Sequence, residues 1–157
     1  MLKLNNGVCR ILNQNHEEST TQDGMDIALC LIDKKDKKIE FAGANRPLYL
    51  FKNGIIEVIK GNRFGIGGIQ TESLKKYTSH KILVEPGDAI YLTTDGYSDQ
   101  FGEIKNKKML KKNFLKLLNS FNGLCMDEQE KRLNEWKNSW QGSLEQTDDV
   151  LVIGIRF

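Results

Sequence analysis

A chain of 157 residues, 39% hydrophobic and 28% charged, has the size and composition of one globular domain with one core. The formal net charge of +2 gives no electrostatic case for a nucleic-acid or anionic-membrane partner. No apolar run approaches the roughly 20 residues that cross a bilayer, and the stretch MLKLNNGVCRILNQNHEES lacks the apolar segment and small-residue cleavage site of a secretion signal.

Three widely spaced cysteines, Cys9, Cys30 and Cys125, fit neither a zinc pattern nor a disulfide framework. Cys30 lies in an apolar run and reads as a small core residue. The expected compartment is the reducing cytoplasm, with no membrane insertion by this chain.

In chain order, residues 2 to 15 place Leu4, Val8, Ile11 and Leu12 at helical spacing, in spite of Gly7. A polar surface loop is expected from His16 to Gly24. DIALCLID (26–33) and KIEFAGA (38–44) flank the charged turn KKDK and predict an antiparallel hairpin. Leu48–Lys52 and Ile55–Lys60 flank Asn53-Gly54, the pair best suited to a left-handed two-residue turn. The glycine-rich stretch GNRFGIGG (61–68) follows. It lacks the Gly-Lys-Ser/Thr of a phosphate loop and the third glycine of a dinucleotide fingerprint, so it reads as a loop that needs positive φ.

Lys81–Glu85 and Ala89–Thr94 predict a further strand pair around Pro86-Gly87-Asp88. Then the period changes. Leu110, Phe114, Leu117, Leu118 and Phe121 mark an amphipathic helix ended by Asn122-Gly123. A second helix is expected with Asp127 as its cap and Leu133, Trp136 and Trp140 on its apolar face. Val150–Phe157 is the last strand. The fold class is α+β, an antiparallel sheet system covered by helices, in a single domain over residues 1–157.

Several motifs are excluded on chemistry. DKKDKK (33–38) lacks the glycine and terminal glutamate of a calcium loop. KNKKMLKK (105–112) is basic, but it opens an amphipathic helix, has no interleaved aromatics and sits in a nearly neutral chain, so nucleic-acid binding is not expected. His16 and His80 have neither a cysteine nor a second histidine nearby in sequence, which leaves a zinc site or catalytic imidazole without support.

Two stretches remain, GDAIYLTTDGYSDQFG (87–102) and EQTDDVLVIGIRF (145–157). In the first an apolar strand ends at Asp95; in the second Asp148 and Asp149 stand immediately before one. Carboxylates at strand ends are turn formers or ligands. A hard cation such as Mg²⁺ or Mn²⁺ prefers such oxygen donors, and glycine after Asp95 would admit a close backbone approach to a metal or its waters. Both roles stay open on the residues alone.

The ordered set DGMDIALCLID, FAGANRPLYL, GIGG, GDAIYLTTDGYSDQFG and EQTDDVLVIGIRF closely resembles the SpoIIE-type branch of the metal-dependent (PPM, type 2C-like) serine/threonine phosphatases, from about Leu4 to Phe157. The resemblance implies an α/β/β/α sandwich of antiparallel sheets with a metal centre at one end. It also implies that Asp95 and Asp148 bind the same Mn²⁺ or Mg²⁺, with Asp149 as a neighbour. The implied chemistry is hydrolysis of a phosphoserine or phosphothreonine ester by a metal-activated water.

Family members carry, upstream of the matched region, a strand with a metal-binding aspartate and an Asp-x-x-Gly-His-Gly stretch. Nothing in residues 1 to 25 resembles these, so the chain looks like the C-terminal part of a phosphatase domain, lacking its N-terminal elements. The implied substrate is a regulatory phosphoprotein such as a STAS-type anti-sigma-factor antagonist, with a sensor domain upstream. Self-association is expected where an edge of the sandwich is left open. The alternative is a folded but catalytically inert fragment that serves as a binding or regulatory module.

Overall fold

A computed structural model describes residues 1–14, 23–68, 76–104 and 106–157. The polar loop expected from residue 16 lies outside the described residues up to residue 22. In chain order the elements are α1 (Leu2–Ile11), β1 (Gly24–Met25), β2 (Ile27–Asp33), β3 (Lys38–Ala44), β4 (Leu48–Lys52), β5 (Ile55–Ile59), β6 (Ile66–Gly67), β7 (His80–Leu83), β8 (Ala89–Thr93), α2 (Gly96–Asp99), β9 (Phe101–Gly102), β10 (Lys107–Lys108), α3 (Lys111–Ser120), α4 (Met126–Gln141) and β11 (Val152–Arg156). The registered strand pairs are antiparallel, so the α+β class holds. The described chain forms two compact units, Met1–Leu48 with Val58–Glu85, and Tyr49–Glu57 with Pro86–Phe157.

The first unit is built on the sheet β2-β3-β7. The β2–β3 hairpin has the expected register, with Asp33 opposite Lys38 across the charged turn. Alternation along β3 sends Ile39 and Phe41 inward, both fully buried, and His80 pairs with Phe41 and stacks on its ring at 6.0 Å. Cys30 is half-buried on that same face, and burial pushes its thiol pKa up. The opposite face carries Leu29, Leu31 and Leu83, exposed at 45%, 65% and 71%.

The helix α1 turns a different face inward from the one its apolar spacing predicts. Leu4 and Ile11 are exposed, while Asn5 and Cys9, one turn apart, are buried. The reason is polar. Asn5 Oδ1 accepts from Gly67 N at 3.0 Å and from the Tyr77 hydroxyl at 3.1 Å, and a buried amide that finds partners fixes the rotation of its helix. The helix also stops at Ile11, short of residue 15. Beyond it Gln14 donates to Asp23 O and accepts from Gly68 N. Gly67 and Gly68 have φ of +71° and +78°, so the glycine-rich stretch needs positive φ as expected.

The second unit centres on the sheet ordered β11-β8-β4-β5. The strands β4 and β5 meet through Asn53 (φ 53°) and Gly54 (φ 83°), the left-handed pair expected of a two-residue turn. Strand β8 pairs with β4 and β11 and not with β7, which pairs with β3. The expected hairpin around Pro86-Gly87-Asp88 is therefore a crossing between sheets. Gly87 N donates to Phe157 O and Phe157 N to Asp88 O, so this turn is closed by the last residue of the chain.

Tyr49, Ile90, Tyr91, Phe114, Leu118 and Leu133 are buried in this unit, each contributing about 1.5–3 kcal/mol of transfer free energy where it is aliphatic or Phe. Two helix starts differ from expectation. Leu110 precedes α3 as its N-cap with φ 69° and is exposed at 59%, so the buried stripe begins at Phe114. Cys125 caps α4, and Asp127 and Glu128 lie in its first turn, where carboxylates face the positive end of the helix dipole.

Candidate metal centre

The Asp95 segment leaves β8 and enters the single turn of α2. The Asp95 carbonyl accepts from Asp99 N at 2.9 Å and from the Ser98 hydroxyl at 3.0 Å, closing a tight turn that holds the side chain at the strand end. Asp148 and Asp149 arrive just before β11, which pairs with β8 from Val152 opposite Thr93. The sheet register alone therefore brings both carboxylate-bearing strand ends to the same end of the sheet.

Local bonds then close the gap. The Thr94 hydroxyl donates to Asp149 O at 2.7 Å and accepts from Leu151 N at 2.9 Å, while Thr94 N donates to Leu151 O at 3.1 Å. Asp149 N donates to Asp148 Oδ1 at 2.7 Å, which fixes one oxygen of that carboxylate. Gly96 is buried against the same segment: a Cβ there would lie 2.4 Å from Asp149 O and 3.1 Å from Asp148 O. The space that glycine leaves is thus filled by the backbone carrying Asp148 and Asp149.

Asp95, Asp148 and Asp149 are all exposed, at the same end of the sheet. That donor set suits a hard, hydrated cation. Among the described residues no group of three or more His, Cys, Asp or Glu side chains is placed to hold a metal ion. His80 lies in the other unit, stacked on Phe41.

Behind this end of the sheet, α2 is gripped by α4. Tyr97 is buried, its hydroxyl donates to Leu133 O at 2.8 Å, and its ring packs on Phe114 at 4.7 Å and Trp136 at 6.4 Å. Burial pushes the Tyr97 phenol well above its ordinary range. Trp136 stacks on Trp140 at 5.3 Å, and Trp140 Nε1 donates to Gln100 O at 3.0 Å. Gly102 makes room for that indole, since a Cβ would meet Trp140 Cε2 at 2.5 Å. Thr94 and Gln100 escaped notice in the sequence. The signal available was position: a hydroxyl and an amide beside the Asp-Gly pair, where polar side chains can tie backbone to backbone.

The sequence of residues 3–157 matches the family described as Stage II sporulation protein E (SpoIIE). No curated protein matches. Among solved structures the chain is similar to the SiaA-PP2C domain of Pseudomonas aeruginosa, at 26% identity and a TM-score of 0.82, covering 98% of this chain and 57% of that one. It is similar in fold to PppA, a key regulatory component of T6SS in Pseudomonas aeruginosa, at 13% identity and a TM-score of 0.67, covering 99% of this chain and 65% of that one. The phosphatase domain of the cell fate determinant SpoIIE from Bacillus subtilis matches at 15% identity and a TM-score of 0.59, over 99% of this chain and 64% of that one. The chain thus spans less than two thirds of the length of each, and its mixed helix and antiparallel-sheet fold is that of PP2C phosphatase domains.

Proposed function

The chain belongs to the Stage II sporulation protein E (SpoIIE) family, and on that premise we propose that it carries one part of a metal-dependent centre for hydrolysing phosphoserine or phosphothreonine in a regulatory protein. A STAS-type anti-sigma-factor antagonist is the substrate class, a sensor domain in the parent protein the controller, and the cytoplasm the compartment. The observation that supports this best is the closure of the two acidic strand ends on each other through Thr94 and Gly96. Turn-forming aspartates alone require no such meeting of distant segments.

In this reading Asp95 and Asp148 hold one Mg²⁺ or Mn²⁺, and the Asp149 N–H orients the Asp148 carboxylate by occupying one of its oxygens. A cation there supplies Lewis acidity, lowering the pKa of water and neutralising phosphoryl charge. The chain's own contribution is to place two anionic donors on a rigid sheet end, open to a protein-sized substrate. For one relative, the Bacillus subtilis phosphatase domain, a Mn-presoaked structure is known, in keeping with the cation class proposed.

The test compares this chain with a longer polypeptide carrying an upstream metal-binding Asp and Asp-x-x-Gly-His-Gly stretch. Water activation in two-metal sites uses ions about 3.5–4 Å apart, which two carboxylates do not hold. The 157-residue chain should therefore turn over p-nitrophenyl phosphate or a phosphoserine protein near background with excess Mn²⁺. The longer polypeptide should be active and should lose most turnover on Asp95→Asn or Asp148→Asn. Full activity of both variants would remove the ligand roles, and an inactive longer polypeptide would favour the inert binding module.

A further inference from the structure

We propose that Gln100 is a positioning residue that sets where the chain delivers Asp148 relative to Asp95. This rests on the metal reading above, and it concerns a residue whose burial has no explanation in core packing. Gln100 is 1% exposed, although a glutamine is mostly found at the surface. It follows α2, the turn that Asp95 opens.

Its two ends do different things. The backbone is bolted down: Gln100 N donates to Gly96 O at 3.0 Å, and Gln100 O accepts from Trp140 Nε1 at 3.0 Å and Met109 N at 3.1 Å. The side chain reaches to the incoming segment. Nε2 donates to Glu145 O at 3.1 Å, with a second contact to Phe101 O at 3.2 Å, and Oε1 accepts from Thr147 N at 3.4 Å. A primary amide presents a donor and an acceptor together, which is what a passing peptide segment offers in return.

Asp148 therefore sits between two clamps. Gln100 holds Glu145 and Thr147 ahead of it, and Thr94 holds Asp149 and Leu151 behind it. Residues 145–149 are exposed and in no strand, so no sheet ladder fixes them. Both clamps belong to the Asp95 side, one on either flank of the Asp95-Gly96 pair. Without Gln100, the backbone groups of Glu145 and Thr147 can turn to water at little cost in stability, but Asp148 loses the forward clamp. A group bonded directly to a metal ligand typically changes metal affinity by about 10–100-fold when lost. Gln100 acts instead on the backbone of Glu145 and Thr147, ahead of Asp148, so the low end of that range is the expectation.

The test uses Gln100→Met, which keeps volume and removes the amide from a buried place. Gln129→Met is the matched control: Gln129 is also buried, at 2% exposure. Its Oε1 accepts from the Tyr91 hydroxyl and its Nε2 donates to Leu124 O, in contact with neither acidic strand end. Mn²⁺ is added to the ¹⁵N-labelled chain, and the concentration that half-broadens the Gly96 and Asp149 amides is read by NMR. Thr147→Pro, which deletes the N–H accepted by Gln100 and leaves the glutamine in place, is measured alongside in case Gln100→Met fails to fold.

We expect the half-broadening concentration to rise about tenfold in Gln100→Met and several-fold in Thr147→Pro, and to change less than about twofold in Gln129→Met. Wild-type behaviour of Gln100→Met, or of Thr147→Pro should the first not fold, overturns the proposal and leaves the metal reading intact. An equal loss in Gln129→Met also overturns it, since the effect is then general loosening. Absence of broadening at these amides in the wild-type chain overturns the metal reading and the positioning role with it.

Discussion

Replacing Gly96 by alanine probes directly whether the two acidic strand ends are packed backbone against backbone. The added Cβ would lie 2.4 Å from Asp149 O, 2.8 Å from its carbonyl carbon and 3.1 Å from Asp148 O. Ordinary contact begins at about 3.5 Å, so the Asp148-Asp149 segment must retreat by roughly 1 Å, and the obstacle is backbone rather than a side chain that could swing away. Overpacking of this kind costs about 1–3 kcal/mol, and the stiffer unfolded chain returns about 0.4–1 kcal/mol. The net loss is about 1–2 kcal/mol. With a urea m-value of about 2 kcal/mol/M, the unfolding midpoint falls by roughly 0.5–1 M. Gly7→Ala is the internal reference. Gly7 lies inside α1 with nothing within 4 Å of a new Cβ, so alanine there should stabilise by about 0.5–1 kcal/mol. Equal midpoints for the two variants would mean that the space beside Gly96 is open and that the strand ends do not meet as described.

Two further outcomes follow from the same contacts. Stability should fall as pH rises above about 10: burial raises the Tyr97 phenol, and chiefly burial raises that of Tyr91, so the unfolded chain loses these protons first and binds fewer than the folded chain. Tyr97→Phe should reduce that slope and cost about 1 kcal/mol at neutral pH by deleting the hydroxyl's bond to Leu133 O; an unchanged alkaline slope would refute the burial of this hydroxyl. Self-association is expected through the sheet face bearing Leu29, Leu31 and Leu83, exposed at 45%, 65% and 71%, beside the edge strand β2. Light scattering should show a concentration-dependent dimer that Leu31→Lys weakens, and a monomer at millimolar concentration would count against it.

The strands were legible because their periodicity and turn chemistry agree. KIEFAGA alternates and buries Ile39 and Phe41, and Asn53-Gly54 supplies the backbone that only such residues adopt readily. What was not legible is which faces and edges find partners. In α1 the apolar spacing of Leu4 and Ile11 was outweighed by one amide, Asn5, whose partners Gly67 and Tyr77 lie far along the chain. Strand β7 pairs with β3 while β8 pairs with β4 and β11, and the turn at Gly87 and Asp88 bonds to Phe157. Local sequence carries no trace of a bond made that far away.

The candidate site shows the same division at finer scale. Asp95, Asp148 and Asp149 could be picked out because carboxylates at strand ends are conspicuous in an apolar context, and the family resemblance chose Asp95 and Asp148 among them. The role of Thr94, Gly96 and Gln100 in joining the strand ends was far less legible, because each acts on backbone groups of a segment some fifty residues later, and a backbone group looks alike at every position. Yet these three residues hold the two acidic strand ends together. A centre made of two exposed aspartates on an unpaired segment would be as loose as that segment. Closing it with a hydroxyl behind Asp148, an amide ahead of it and a glycine beneath it converts two loop ends into one fixed ledge. In the proposed metal reading the rigidity of the ledge resides in uncharged residues, and substitutions of Thr94 or Gln100 should weaken Mn²⁺ binding while the buried aromatics beneath α2 stay packed.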